Sequence, residues 1–165
     1  MIVEQEITSR VTQSIQIVDY SLLTLEQYHQ YIDQHLLPPS YMLKGCRDGQ
    51  HMDYWLKEAH LDKTPLGLVA NKFYGLTHKP VTHKSNVRPI LTIKPEYWLD
   101  HGCIFYIEDT GFYMIDKEHA FAINAINNCC YSKKPYDEQG RIITYGNSYV
   151  KKVLDKWAED NKIFE

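Results

Sequence analysis

What this chain lacks bounds it first. There is no Cys-x-x-Cys and no His-Glu-x-x-His, so the usual signatures of a zinc site are missing. No apolar run approaches the ~18 residues a spanning helix needs, which leaves no expected membrane span. Basic excess is missing too. The formal net charge is −3, which argues against a general phosphate-binding surface and is too mild for nucleic-acid mimicry. Met1-Ile2-Val3-Glu4-Gln5-Glu6 carries acids where a signal peptide carries base, so a secretory leader is not expected. Only Cys46, Cys103, Cys129 and Cys130 are present. Adjacent Cys129 and Cys130 point to opposite faces of an extended backbone, so the reading is reduced thiols in the cytoplasm.

What is present fits a globular domain. A chain of 165 residues is one domain by length, with sub-blocks expected at 1–95 and 96–165. At this size roughly two-thirds of the unfolded surface is buried. Aromatics make up 13% of the chain, and Tyr alone contributes 13 residues. Tyr suits strands, and its hydroxyl suits half-wet interfaces.

The pattern predicts strands over 2–7 and 11–18, with Ile15 and Ile17 on one face. Thr24 and Gln27 form a capping box for a helix over 25–36, with Leu25, Tyr28, Ile32 and Leu36 as its stripe and Pro38-Pro39 as its stop. Lys44-Gly45 and Asp48-Gly49 are turn pairs in an irregular stretch. Asp53–Lys57 and Leu66–Ala70 read as strands, the first around a buried Trp55. Residues 72–86 read as a polar loop. Val87–Ile93 is a strand that Pro89 places at an edge or bulge. Residues 103–116 predict a hairpin, with Gly111 supplying positive φ. Residues 117–127 are Ala-rich and predict a short helix; 141–145 predict a strand. Asn147 or Ser148 caps a last helix striped by Val150, Val153, Leu154, Trp157 and Ala158. The fold class expected is α+β: a mixed, mostly antiparallel sheet with two main helices packed on it.

Some of these motifs resemble a known family. Tyr54-Trp55-Leu56-Lys57 followed by Val87-Arg88-Pro89-Ile90-Leu91 is similar to the back half of an uncharacterised domain of Gram-positive bacteria and their phages. Phe112-Tyr113-Met114-Ile115 and the stretch Gly146-Asn147-Ser148-Tyr149-Val150 resemble its front half, a hairpin with an Asn-Ser-capped helix. The halves stand in permuted order, as a circular permutation would leave them. More distantly the arrangement is similar to C-type-lectin-like modules. The resemblance implies a mixed core beside long loops and transfers no catalytic residue.

Candidate site residues follow from chemistry. Lys72, Phe73, Tyr74, His78, Lys79, His83 and Lys84 interleave aromatic and basic side chains, a pattern that stacks on bases or meets an acidic protein. Tyr131, Lys133, Lys134 and Tyr136 form a second such tract. His78 and His83, with His51 and His60 upstream, are the metal alternative. Cys46 beside Arg47 and Cys103 near His101 are the nucleophile alternative, although Cys103 opens a strand and is expected buried. Arg88 is expected to be buried and paired with a carboxylate.

The leading expectation is a small non-enzymatic binding protein, phage or mobile-element encoded, that masks or sequesters a partner, as an inhibitor of a bacterial defence system does. No cofactor is expected. A protein partner leads; nucleic acid, a small ligand or a homodimer are the other partner classes. The alternatives are a ligand- or glycan-binding module on a lectin-like scaffold, and a small metal- or Cys-dependent hydrolase.

Overall fold

The computed structural model describes residues 2–8, 11–45, 53–59, 65–71, 75–95 and 99–164. The strands are β1 (Ile2–Thr8), β2 (Val11–Leu22), β3 (Tyr54–Ala59), β4 (Leu66–Ala70), β5 (Leu76–Pro80), β6 (Lys84–Val87), β7 (Pro89–Pro95), β8 (Ile104–Ile107), β9 (Thr110–Met114), β10 (His119–Ala122) and β11 (Asn127–Cys130). The helices are α1 (Leu25–Asp33) and α2 (Tyr149–Asp160). The fold is α+β and mostly antiparallel, dominated by strands. It holds two sheets where one was expected. The first runs β1-β2-β7-β10-β9-β8, and the second β11-β6-β3-β4-β5. Strands from both expected sub-blocks enter both sheets: β10 pairs with β7, and β11 with β6. Among the described strands only β3 and β6 pair in parallel; outside them, Lys44 makes a parallel bridge to Asn124. No helix among the described residues is long and apolar enough to cross a membrane.

Period-two alternation builds the core of the first sheet. Ile15 and Ile17, Leu91 and Ile93, Phe105 and Ile107, Phe112 and Met114, and Ala120 and Ala122 all enter one buried cluster. The edge strands β1 and β8 also touch, so the sheet curls around this cluster. Ala158 and Ile163, from α2 and the turn after it, pack against it. Residues on the opposite face (Ile90, Tyr113 and Phe121) meet α1 through Tyr28 and Tyr31, and β3 through Tyr54 and Leu56. A third cluster joins Trp55, Val69, Val87, Cys129 and Tyr131 to Val150 and Leu154 of α2.

Both helix starts follow the expected chemistry. Thr24 and Gln27 complete the capping box, and Ser148 caps α2 by accepting from the Lys151 amide at 3.0 Å. The end of α1 differs: it stops at Asp33, before the prolines. His35 takes φ of 55°, and the amides of His35 and Leu36 return to the carbonyls of Ile32 and Tyr31. This is a Schellman closure with a histidine where glycine is usual. Lys162, with φ of 54°, closes α2 the same way.

Other departures share one cause, tertiary pairing overriding local pattern. Residues 119–122 are a strand, not a helix, because they lie between β7 and β9, where small Ala120 and Ala122 let the layers close. Residues 141–145 contribute only a bridge from Ile142 to Tyr136, then a 3-10 turn. The expected strand 87–93 is split. Val87 ends β6 in one sheet and Pro89 opens β7 in the other, opposite Leu22. β7 is central, not an edge, and Pro89 is tolerated as its first residue. The β8–β9 turn is Glu108-Asp109, and Glu108 carries the positive φ of 49°. Gly111 lies within β9, where an added Cβ would stand 3.1 Å from Tyr106.

Candidate functional site

The surface with the most to offer a partner surrounds the start of α2. It is built outward from Trp55. That side chain is fully buried, donates from Nε1 to the Cys129 carbonyl at 2.9 Å, and meets the Tyr131 ring edge-on at 5.5 Å. Tyr131 is itself fully buried. Its hydroxyl donates to the Lys57 carbonyl, and burial pushes that hydroxyl well above its ordinary pKa. Its carbonyl accepts from the amides of Tyr149 and Val150 at 2.9 and 3.2 Å. Tyr131 therefore cannot be the exposed contact residue the sequence suggested. It is the post that fixes β3, β11 and α2 beneath the surface.

Around that post, cations lie over rings. The Lys133 ammonium sits 4.4 Å from the Tyr149 ring centroid, and the Lys57 ammonium 5.3 Å from that of Tyr145. Lys133 and Lys134 are exposed on a turn held by the Ser132 hydroxyl, which donates to the Lys134 carbonyl at 2.7 Å. Tyr136 is 40% exposed. Exposed Lys152 lies three residues along α2 from Tyr149, on the same side of the helix. Among the described residues Lys57, Lys133, Lys134 and Lys152 enter no ion pair, whereas Lys151 pairs with Asp155 at 2.7 Å and Arg141 with Asp137 at 3.0 Å. Asp137 also accepts from the amides of Gln139 and Arg141 at 2.9 and 2.8 Å. The Arg141 amide bond, first among these contacts, holds its carboxyl below the usual range. This clasp closes the loop that carries Tyr136.

Sequence reasoning placed Lys133, Lys134 and Tyr136 here but missed Lys57, Tyr145, Tyr149 and Lys152. Lys152 could have been found, being three residues from a tyrosine at a helix start. Lys57 and Tyr145 could not, since they are 88 positions apart and only the fold brings them together.

The other candidates are dispersed. Lys72, Phe73 and Tyr74 lie outside the described residues, as do Cys46, Asp48-Gly49, His51 and His60. Within the expected loop 72–86, residues 76–80 and 84–86 are strand instead. His78 and Lys79 belong to edge strand β5, opposite Leu68 and Gly67. His83 is in the turn that follows, and Lys84 opens β6. Among the described residues no group of three or more His, Cys, Asp or Glu could hold a metal ion. Cys103 is exposed rather than buried, because it precedes β8 in a turn. His101 is engaged elsewhere, with Nε2 donating to the Leu36 carbonyl at 2.9 Å. Arg88 is fully buried between the sheets, as expected. It donates to the Ile123 carbonyl and lies 5.7 Å from the Tyr54 ring centroid, and burial lowers its pKa to about 10.

Two grooves are lined by described residues. One, of about 410 Å³, is lined by Tyr31, Ile32, His35, Leu37 and Pro39. The other, of about 250 Å³, lies between Tyr20, Lys162 and Phe164. No protein-family model, curated protein or solved structure matches this chain.

Proposed function

We propose that the chain is a small, non-enzymatic binding protein. Its working surface is the basic and aromatic face of Lys57, Lys133, Lys134, Tyr136, Tyr149 and Lys152, and it masks a protein partner there. The observation that carries this reading is the pair of ring-held lysines, Lys133 over Tyr149 and Lys57 over Tyr145. A long side chain already fixed over a ring has less conformational freedom left to lose on binding. Exposed Tyr136 adds contact area at low entropic cost. The resemblance to a domain of Gram-positive bacteria and their phages supports a bacterial target, such as a component of a defence system.

The test is capture from bacterial lysate by the wild-type chain and by Lys133→Glu/Lys134→Glu. The reading expects one protein retained in fixed proportion by the wild type and at least tenfold less by the variant. Equal retention by both would refute it.

A second reading is a small-ligand module, favoured by the groove beside α1, whose volume of about 410 Å³ lies within the range of ligand pockets. A thermal-shift screen of sugars and amphiphiles, with Leu37→Asp as the blocked control, checks it. A shift lost in the variant supports this reading, and a shift kept by the variant counts against it.

A further inference from the structure

Resting on that reading, we infer that what the face recognises is a carboxylate-rich stretch of polypeptide rather than a nucleic acid. Three features of the site point the same way.

The first is ring occupancy. Single-stranded nucleic acids bind sequence-tolerant sites by stacking bases on open aromatic faces. Here Tyr149 and Tyr145 each carry an ammonium over the ring. A base could stack there only by expelling the lysine whose charge it also needs. What the pairs present outward is the ammonium itself.

The second is the spacing and kind of charge. Lys133 and Lys134 precede Asp137 and Glu138 in one loop, and Lys152 lies three residues before Asp155 on α2, on a chain whose net charge is −3. A duplex brings a phosphate charge about every 1.7 Å, a denser array than a few lysines interspersed with acids can match. A short acidic peptide brings separated single charges that can settle on separated lysines. The fork of Arg suits carboxylate and phosphate alike, and that of Arg141, in the loop that carries Tyr136, is already engaged by Asp137 at 3.0 Å and Gln139 at 3.2 Å, which leaves recognition to the lysines.

The third is the start of α2. A helix N-terminus offers amides to a phosphate only while they are open. The Tyr149 and Val150 amides go to the Tyr131 carbonyl, and the Lys151 amide to Ser148. The pole is closed, so recognition falls to side chains, and ammonium groups flanked by a tyrosine fit carboxylates set between apolar residues.

Calorimetric titration of the full chain tests this with two probes, an uncharged-ended Glu-Ala repeat peptide and an oligothymidylate. The inference expects saturable, salt-weakened binding of the peptide, about fivefold or more weaker in Lys133→Gln/Lys134→Gln. It expects no comparable binding of the oligonucleotide. Circular dichroism of the variant, unchanged from wild type, shows that the loss is not unfolding. Tighter binding of oligothymidylate than of peptide, or peptide binding indifferent to the lysine substitutions, would overturn it. If neither probe binds while lysate capture still depends on Lys133 and Lys134, the inference fails and the binding face stands.

Discussion

Gly67→Ala tests the buttress beneath the proposed binding face. Gly67 in β4 lies flat against the six-membered ring of Trp55. An added Cβ would stand 2.6 Å from Cζ3 and 3.1 Å from Cε3. Carbon atoms prefer about 3.5–4.0 Å, so the ring would have to retreat by roughly 1 Å. It has nowhere to go. Its Nε1 is tied to the Cys129 carbonyl at 2.9 Å, and the Tyr131 ring packs edge-on against it at 5.5 Å. Overpacking of this kind costs about 1–3 kcal/mol, and straining the indole hydrogen bond adds up to about 1 kcal/mol. Against this, replacing glycine restricts the unfolded chain and returns about 0.4–1 kcal/mol. The balance is a loss of about 2 kcal/mol. Urea unfolding followed by tryptophan fluorescence reads it as a lower midpoint at unchanged slope. The same substitution in a Trp55→Phe background, which removes the outer ring, is expected to cost at least ~1 kcal/mol less. A Gly67→Ala protein as stable as wild type, or an equal penalty in both backgrounds, would refute the reasoning.

Other expectations are simpler. Ser148→Ala removes the cap of α2 and the hydroxyl's own bond to the Tyr145 carbonyl at 2.6 Å, and is expected to cost about 1–2 kcal/mol in the same unfolding assay. Lys162→Gly relieves a side chain from left-handed backbone, and a gain of up to ~1 kcal/mol is expected in thermal unfolding. Alkaline pH should destabilise the fold. Burial, with Asp116 nearby, pushes the Tyr31 hydroxyl up to about 12, so the native state keeps a proton that the unfolded chain releases near pH 10. The stability tied to that proton is whole below about pH 10 and falls as pH rises toward 12. Urea midpoints measured across that interval should drop, and Tyr31→Phe should flatten the drop.

Where local chemistry is self-contained, the sequence and the structure agree. The Thr24 capping box and the Ser148 cap depend on neighbours within a few residues, and the stripe of α2, the strand at Leu66–Ala70 and the burial of Trp55 are carried by residue type and spacing along the chain. The readings that failed depended on distant partners. Ala120 and Ala122 suit a helix until β7 and β9 close on either side. Val87 to Ile93 reads as one strand because nothing local marks Arg88 as the crossing between sheets. Gly111 draws the eye as a turn residue, yet its place is set by Tyr106 and Asn124 crowding a strand. The candidate site divides the same way. Lys133, Lys134 and Tyr136 are visible as a basic and aromatic tract. Tyr131 in that tract turns inward because Trp55 and Lys57 receive it, and Tyr149 and Tyr145 join the proposed face only because lysines from elsewhere lie over them.

The most direct test of the account is hydrogen–deuterium exchange on the chain alone and bound to its captured partner. The account predicts new protection over residues 131–141 and 145–152, with β5 and the turn at His83 unchanged. Protection confined to residues 76–84, or to the groove beside α1, would contradict it and place the working surface elsewhere.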